Sequence, residues 1–256
     1  MNSSGTMRLY KYRSLAGDFG REAIERAFLS NELYWQSPLA FNDPFDCLPV
    51  LYFGANQQQR RQFHRRAATQ VYGGPRHKRR RKQREMEAVP PRKMEQVLKE
   101  KWPHWLAESA VTCFSEIPDH PLMWGHYANS HRGVSLIFNE IATERIQWFS
   151  FPVEYSEARP KVNLTQFGDP AVMMSALFKK SAYWSYEHEH RMIEWHRPPG
   201  YRAFPPQVFV GIILGAKIAA DDEAFVRDLL DQRRGLELYR AHVDEIDFKL
   251  NIVREK

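Results

Sequence analysis

Residues 184–195 read WSYEHEHRMIEW, and this stretch predicts a β-strand that carries two carboxylates. Side chains alternate along a strand, which puts Glu187, Glu189 and Arg191 on one face and the intervening histidines on the other. Acidic residues are poor strand formers, so their presence here indicates one of two things. They form either a site in which one carboxylate stays ionised and its partner orients a ligand, or a solvent-facing edge strand with a Glu–Arg ion pair.

The composition is that of a globular protein. A chain of 256 residues with 43% hydrophobic and 27% charged residues predicts one domain over residues 8–256, preceded by a disordered segment at 1–7. The N-terminus lacks the apolar core of a signal peptide, and no apolar run reaches the length of a membrane span. Cys47 and Cys113 have no metal-ligand spacing, so we expect reduced, mostly buried thiols in a cytoplasmic protein.

The positive charge is concentrated in residues 57–105, which hold 15 Lys/Arg against 4 Glu, a local net charge of +11. The whole chain carries +6, so the remainder carries −5. A basic run of this kind is either a solvated or disordered loop, or a surface that attracts nucleic-acid phosphates. No aromatic residue lies between residues 73 and 101, so base stacking is not expected. The predicted nucleic-acid-binding residues are Arg76, Lys78, Arg79, Arg80, Arg81, Lys82 and Arg84.

The order of elements predicts an α+β fold, because strands outnumber helices and their connections are mixed. Hydrophobic periodicity indicates helices at 21–30, 56–70, 85–109, 121–129, 171–184 and 221–234. The basic run lies between the second and third of these, and residues 54–109 are interpreted as a helical insertion into the single domain. Asp119 is a plausible cap for the helix that begins at Pro121.

A first polar cluster lies in the strand formed by residues 9–13. Tyr12 faces opposite Lys11 and Arg13, so the two cations could meet an anionic ligand while the tyrosine packs. The alternative is that both are ordinary surface cations.

A second cluster is the turn Phe41-Asn42-Asp43-Pro44-Phe45-Asp46. Its carboxylates and amide could bind a hard metal ion or the hydroxyls of a sugar. Turn chemistry alone accounts for Asn42 and Asp43, but it does not require Asp46.

A third cluster combines Cys113-Phe114-Ser115-Glu116 with Met123-Trp124-Gly125-His126-Tyr127. Trp124 or Tyr127 could stack on a planar heterocycle, and His126 could act as a general base. Burial in the core is the alternative for each of them. The chain has no Gly-x-Gly-x-x-Gly, Walker-type, His-Glu-x-x-His or Gly-x-Ser-x-Gly motif, so the usual support for a dehydrogenase, kinase, zincin or α/β-hydrolase is missing.

Together, these stretches resemble a widespread bacterial family of domains of unknown function, over residues 8–216. The order of elements also resembles, more distantly, ADP-ribosyltransferases of the DarT and diphtheria-toxin-like kind. This resemblance implies a split β-sheet core, NAD as cofactor, no resident metal, and activity as an ADP-ribosyltransferase or NAD glycohydrolase. It also implies a toxin or phage-defence effector that acts on nucleic acid or protein, with an antitoxin or defence-system partner. The first strand lacks the His-Gly or Arg-Gly-Thr motif of such enzymes.

The resemblance implies a role for each matching residue. Glu189 would be the catalytic glutamate, with Glu187 two residues earlier. Tyr127 and His126 would lie in the helix at 121–129, which follows the middle strand. The residues expected to bind NAD are Lys11, Tyr12, Arg13, Asn42, Asp46, Ser115, Trp124 and Arg191. Two alternatives stay open: a non-catalytic nucleic-acid-binding regulator, and a nuclease that holds Mg²⁺ with Asp43, Asp46, Glu187 and Glu189.

Overall fold

The computed structural model describes residues 7–54, 56–143, 145–166 and 169–255, so the predicted disordered segment lies outside the described residues except for Met7. The chain forms two compact units. The first consists of Met1–Gln36, Ala110–Val153 and Trp184–Lys256, and the second of Ser37–Ser109 and Glu154–Tyr183. The predicted single domain with an insertion at 54–109 stays a prediction.

The elements of both units follow one another as strands and helices of mixed length. In chain order they are β1 (Arg8–Arg13), α1 (Gly17–Glu25), β2 (Glu32–Trp35), β3 (Val50–Tyr52), α2 (Gln57–Gln70), α3 (Arg76–Glu87), α4 (Pro91–Ala107), β4 (Ala110–Ser115), α5 (Pro121–Tyr127), β5 (Val134–Asn139), β6 (Ile141–Ala142), β7 (Gln147–Trp148), β8 (Phe151–Pro152), β9 (Glu154–Ser156), β10 (Lys161–Asn163), α6 (Pro170–Leu177), β11 (Lys179–Ser181), β12 (Glu189–Glu194), β13 (Gly200–Ala203), β14 (Phe209–Leu214), α7 (Ala220–Gln232), β15 (Glu237–Val243) and β16 (Leu250–Arg254).

The first unit is built on an eight-stranded mixed sheet with the order β16-β15-β14-β5-β1-β4-β12-β8. Most neighbours are antiparallel, and β14 and β15 are parallel. The predicted α+β class is confirmed. The more specific expectation of an ADP-ribosyltransferase-like split sheet stays a prediction. The central strands β1, β4 and β12 come from distant parts of the chain, so this sheet brings together the first cluster, the 113–115 part of the third cluster and the stretch with Glu189.

Each face of the sheet buries its own apolar cluster. Leu9, Phe114 and Phe138 pack on one face with side chains of α1 and α7. Tyr12 packs on the other face with Met123 and Trp124 of α5. Neighbouring positions on β1 therefore belong to opposite faces, as the two-residue period of a strand requires. Burial of large apolar side chains on both faces, at roughly 1.5–3 kcal/mol each, is the main stabilisation of this sheet.

The second unit contains the helices α2, α3, α4 and α6, and a small apolar cluster of Phe53, Met94 and Leu164. Here one sequence interpretation is wrong: the basic run, treated as a possible loop between helices, is itself the helix α3. The run contains Arg, Lys, Gln, Glu and Met, which all favour helix. Gly73-Gly74-Pro75 separates this helix from α2, and Pro90 separates it from α4.

Two further boundaries differ from the sequence predictions. The helix expected at 171–184 ends at Leu177, because Lys179–Ser181 pairs with β9 as the parallel strand β11. A 3₁₀ turn over Ala182–Glu187 follows, so Glu187 precedes the predicted strand instead of lying in it. Asp119 is also not the cap of α5, whose N-terminal cap position is His120.

The helix α1 continues as a π-helical turn over Arg26–Ser30, which Asn31 ends in the left-handed conformation with a φ of 54°. The expectation of unpaired cysteines is confirmed. Both cysteines are free. Among the helices of the described residues, none combines the length and the apolarity needed to cross a bilayer.

Candidate functional site

The centre of the candidate site is an ion pair on β12. Arg191 Nε donates to Glu189 Oε1 at 2.7 Å, and Nη2 donates to Oε2 at 2.9 Å. The Arg191 side chain is fully buried and that of Glu189 is 5% exposed. The prediction that Glu189 and Arg191 lie on the same face of the strand is therefore confirmed. The alternative of a solvent-facing edge strand is wrong, because β12 lies between β4 and β8.

This ion pair influences its neighbour on β4. Cys113 lies opposite Arg191 in the strand register. Burial, together with the nearby Glu189 carboxylate, raises the pKa of the Cys113 thiol well above its usual range. The thiol is therefore protonated at neutral pH and is a poor nucleophile. We assign it no covalent role.

A second carboxyl group lies beside the first, on the 3₁₀ turn that precedes β12. Tyr127 Oη donates to Glu187 Oε1 at 2.6 Å, and Ser115 Oγ donates to the backbone oxygen of Glu187 at 2.6 Å. Glu187 is 2% exposed. Between the two glutamates, His188 adopts a left-handed backbone with a φ of 42°. Such a conformation is rare for a residue with a side chain and is often found at functional sites.

Three central strands align a row of side chains across the sheet. Ser115 of β4 is the register partner of Tyr10 on β1 and of Glu189 on β12. Register partners in neighbouring strands point to the same face, so the three side chains share one face. Tyr10 was not predicted as a site residue. Its position in the first strand, one residue before Lys11, was the feature of the sequence that could have indicated it.

A group of aromatic and histidine rings borders the Tyr127–Glu187 hydrogen bond. His126 lies within 6.1–6.5 Å, between ring centroids, of Tyr127, Trp184 and Tyr186. His120 stacks on Tyr186 at 5.2 Å. His126 is exposed and the other four are partly buried. We call these five residues the aromatic cluster. Tyr127 and His126 were predicted as site residues from the sequence, whereas His120, Trp184 and Tyr186 were not.

Several residues expected to bind NAD have other partners in this structure. Lys11 Nζ donates to Thr112 Oγ1 at 2.7 Å and to the Cys113 backbone oxygen at 2.8 Å, on the sheet face opposite Glu189. Burial, and to a lesser extent Arg13, lowers the pKa of the Lys11 amino group well below its usual range. Arg13 is only partly exposed on that same face, and burial lowers the pKa of its guanidinium.

Two aromatic residues with an expected NAD-binding role are also part of the core. Tyr12 Oη donates to the Ile117 backbone oxygen at 2.6 Å, and Trp124 Nε1 donates to the Pro118 backbone oxygen at 2.8 Å. The Trp124 ring is fully buried and meets the Tyr12 ring edge-on. In this conformation Trp124 has no ring face available to a ligand.

The turn at 41–46 belongs to the second unit. Asn42 is exposed there, whereas Asp46 is buried, lies 3.7 Å from Lys180 Nζ and accepts a bond from Cys47 Sγ at 3.4 Å. Their role in NAD binding stays a prediction. Across the described ranges, no three His, Cys, Asp or Glu side chains are grouped so that they could hold a metal ion. The nuclease alternative therefore gains no support.

One polar network was missed by the sequence analysis. On the opposite face of β12, His190 Nε2 lies 2.6 Å from Glu116 Oε1, and Nδ1 lies 3.0 Å from Ser150 Oγ. Ser150 Oγ also donates to Glu140 Oε1 at 2.6 Å. The network satisfies the buried imidazole and ties β12 to the chain around Ser150. We interpret it as a support for the strand that carries the ion pair.

Comparison with known proteins gives one match. A family model described as "Protein of unknown function (DUF2971)" matches residues 123–192. The matched segment runs from α5 to β12 and includes Tyr127, Glu187, Glu189 and Arg191. It covers less than half of the chain and carries no function. No curated protein and no solved structure matches the chain.

Proposed function

We propose that the chain is an NAD-consuming enzyme, an ADP-ribosyltransferase or an NAD glycohydrolase. The observation that carries the proposal is the row formed by Tyr10, Ser115 and Glu189 on the adjacent strands β1, β4 and β12. The resemblance to ADP-ribosyltransferases implies a first strand with a basic residue or His, a middle strand with an aromatic residue or Ser, and a late strand with the catalytic Glu. The sheet brings these three strands side by side.

The chemistry requires a carboxylate that is held in place. A carboxylate that accepts a bond from the 2′-hydroxyl of the nicotinamide ribose stabilises the oxocarbenium-like transition state as nicotinamide leaves. Arg191 donates to both oxygens of Glu189 and so holds the carboxylate in one orientation. In this assignment Glu189 is the catalytic residue and Arg191 is its positioning residue.

The second carboxyl group, that of Glu187, is placed to orient the molecule that accepts the ADP-ribosyl group. Glu187 Oε1 already accepts a hydrogen bond from Tyr127, so the pair can orient a water molecule or a hydroxyl that attacks the anomeric carbon. If water is the acceptor, the enzyme is a glycohydrolase. If a group of another molecule is the acceptor, it is a transferase.

The aromatic cluster supplies ring faces beside the Tyr127–Glu187 hydrogen bond. Trp184, Tyr186 and His126 are partly or fully exposed, and planar rings stack on such side chains. NAD contains two planar rings. Accessible aromatic side chains near the Glu187 carboxyl are therefore consistent with a dinucleotide.

Access to the carboxyls needs a local rearrangement, because Glu187 is 2% and Glu189 is 5% exposed. The segment that has to move is the 3₁₀ turn Ala182–Glu187 together with His188. The backbone of His188 is left-handed and interrupts the regular structure between this turn and β12. We expect NAD binding to shift this turn.

The test is a calorimetric titration with NAD⁺, with nicotinamide release measured in parallel. We expect saturable binding by the wild-type protein, and release that falls at least a hundredfold in Glu189→Gln, as for loss of a transition-state interaction of about 3 kcal/mol. Glu194→Gln, at the partly exposed C-terminal end of the same strand, is the matched control and should keep wild-type release. A folded Glu189→Gln variant that releases nicotinamide at the wild-type rate would show the assignment to be wrong.

A further inference from the structure

The helical hairpin formed by α2 and α3 carries a dense positive surface. All seven predicted nucleic-acid-binding residues lie on α3, a helix with no buried residue. The helix carries seven Lys or Arg against Glu85 and Glu87. Arg61 and Arg65, one turn apart on α2, are exposed as well. A rigid helix holds its cations at fixed spacings, which a disordered loop does not.

The inner side of α3 is anchored. Arg79, Gln83 and Met86, spaced by three and four residues, are its partly buried positions, and Met86 packs against the Phe53 cluster. At the hairpin turn, Lys82 Nζ lies 5.3 Å from the centre of the Tyr72 ring. The remaining surface of the helix faces away from these contacts.

The cations of α3 lie on two flanks. From the 3.6-residue period, Arg80 and Arg84 share one flank, Lys78 and Lys82 share the other, and Arg81 lies between them on the outer ridge. Glu85 pairs with Arg81 and Lys82. Among the residues that the structure describes, Lys78, Arg80 and Arg84 have no acidic partner within ion-pair distance.

We infer that this hairpin binds the phosphate backbone of double-stranded DNA without reading its sequence. With its side chains, a helix is about 10–12 Å wide, and the major groove of B-form DNA is about 12 Å wide. Cations on both flanks of α3 then reach the two phosphate rows that border the groove. The 12 residues of α3 span about 18 Å, or about five phosphates of each strand.

Other polyanions fit less well. Met86 is the only apolar side chain of α3 and it is partly buried, so the helix lacks the apolar face that a membrane-surface helix inserts into lipid. The deep, narrow major groove of A-form RNA does not admit side chains in this way. Single strands are usually held by aromatic stacking, and α3 contains no Phe, Tyr or Trp.

The experiment measures anisotropy of two labelled duplexes of unrelated sequence with the full-length protein over a range of salt. We expect equal affinity for both duplexes. In the variant Lys78→Gln/Arg80→Gln/Arg84→Gln we expect affinity to fall at least tenfold, and the slope of log affinity against log salt to fall by about 3. Glutamine keeps the helix propensity, and circular dichroism checks the fold. A second variant, Lys78→Arg/Arg80→Lys/Arg84→Lys, keeps the charges and should bind like the wild type.

The control variant is Arg132→Gln/Lys217→Gln/Arg234→Gln, which removes three exposed cations from the first unit. It has the same net charge as the test variant and should retain binding. An equal loss of affinity in both variants would show that binding depends only on the net charge of the protein, and it would overturn the inference. Absence of duplex binding at low salt would also overturn it, and so would equal binding of single-stranded DNA, double-stranded RNA or phosphatidylserine vesicles. None of these outcomes depends on NAD turnover.

Discussion

The hydroxyl of Tyr127 on α5 donates a 2.6 Å hydrogen bond to Oε1 of Glu187, which lies at the entry to β12. This bond joins a helix to the segment that carries both candidate carboxyls. Glu187 is buried, so bulk water cannot readily replace the Tyr127 hydroxyl as a hydrogen-bond donor to its carboxylate.

We predict that Tyr127→Phe lowers the free energy of unfolding by about 1.5–3 kcal/mol, the usual contribution of a hydrogen bond to a charged group. Denaturant unfolding measures this change. Tyr183→Phe, at a ring that is 91% exposed, is the control and should change the free energy by less than about 0.5 kcal/mol. Equal effects of the two substitutions would show that the Tyr127 hydroxyl contributes nothing.

The Glu189–Arg191 ion pair should show strong coupling. Removing one member leaves the other charge buried, so we expect Glu189→Leu or Arg191→Met to lower the free energy of unfolding by roughly 3–5 kcal/mol. The double variant Glu189→Leu/Arg191→Met should lose less than the sum of the single changes. The cycle is measured by denaturant unfolding. The exposed Glu194–Arg197 pair is the control and should contribute about 0–1 kcal/mol. Additive losses at Glu189 and Arg191 would contradict the pairing.

His64 on α2 predicts a pH dependence of stability. Its ring is 4% exposed, neither ring nitrogen has a hydrogen-bond partner among the described residues, and it stacks on Phe53. Burial lowers the pKa of His64; the nearby Glu87 raises it to a lesser extent and Arg60 lowers it. The folded protein therefore favours the neutral imidazole. Stability is unaffected above the unfolded pKa of about 6.5 and decreases as the pH falls below it.

The measurement for His64 is the denaturant midpoint at a series of pH values on both sides of neutrality. His64→Phe cannot be protonated, so its midpoint should decrease less than that of the wild type at low pH. His77→Phe, at an exposed position of α3, is the control and should keep the wild-type pH dependence. The same profile for His64→Phe and the wild type would assign the acid sensitivity to other groups.

The left-handed backbone of His188 predicts an order among substitutions. Glycine and asparagine adopt a φ of 42° easily, whereas a β-branched side chain does not. We expect His188→Gly and His188→Asn to keep wild-type stability within about 0.5 kcal/mol, and His188→Val to lose about 1–2 kcal/mol. Thermal unfolding of the three variants tests the order. A valine variant as stable as the glycine variant would show that the strain at His188 is absent in solution.

The alternation of side chains made part of the site predictable. Glu189 and Arg191 are two residues apart in a strand, so the local pattern alone places them on one face. The row with Ser115 and Tyr10 was not predictable, because strand order and register depend on which of many strands pair. The aromatic cluster was missed for a similar reason, since its members come from α5, from the turn before it and from the 3₁₀ turn, and meet only after packing.

The amino-acid sequence by itself determined the α+β class, most of the helices and strands, the position of the basic run and the common face of Glu189 and Arg191. These features follow from periodicity and charge, which are local. Only the tertiary structure decided that Lys11 is buried on the opposite face, that Trp124 is a core residue and that Tyr127 bonds to Glu187. Burial and long-range hydrogen bonds depend on the whole packed sheet, and no short stretch of the chain contains that information.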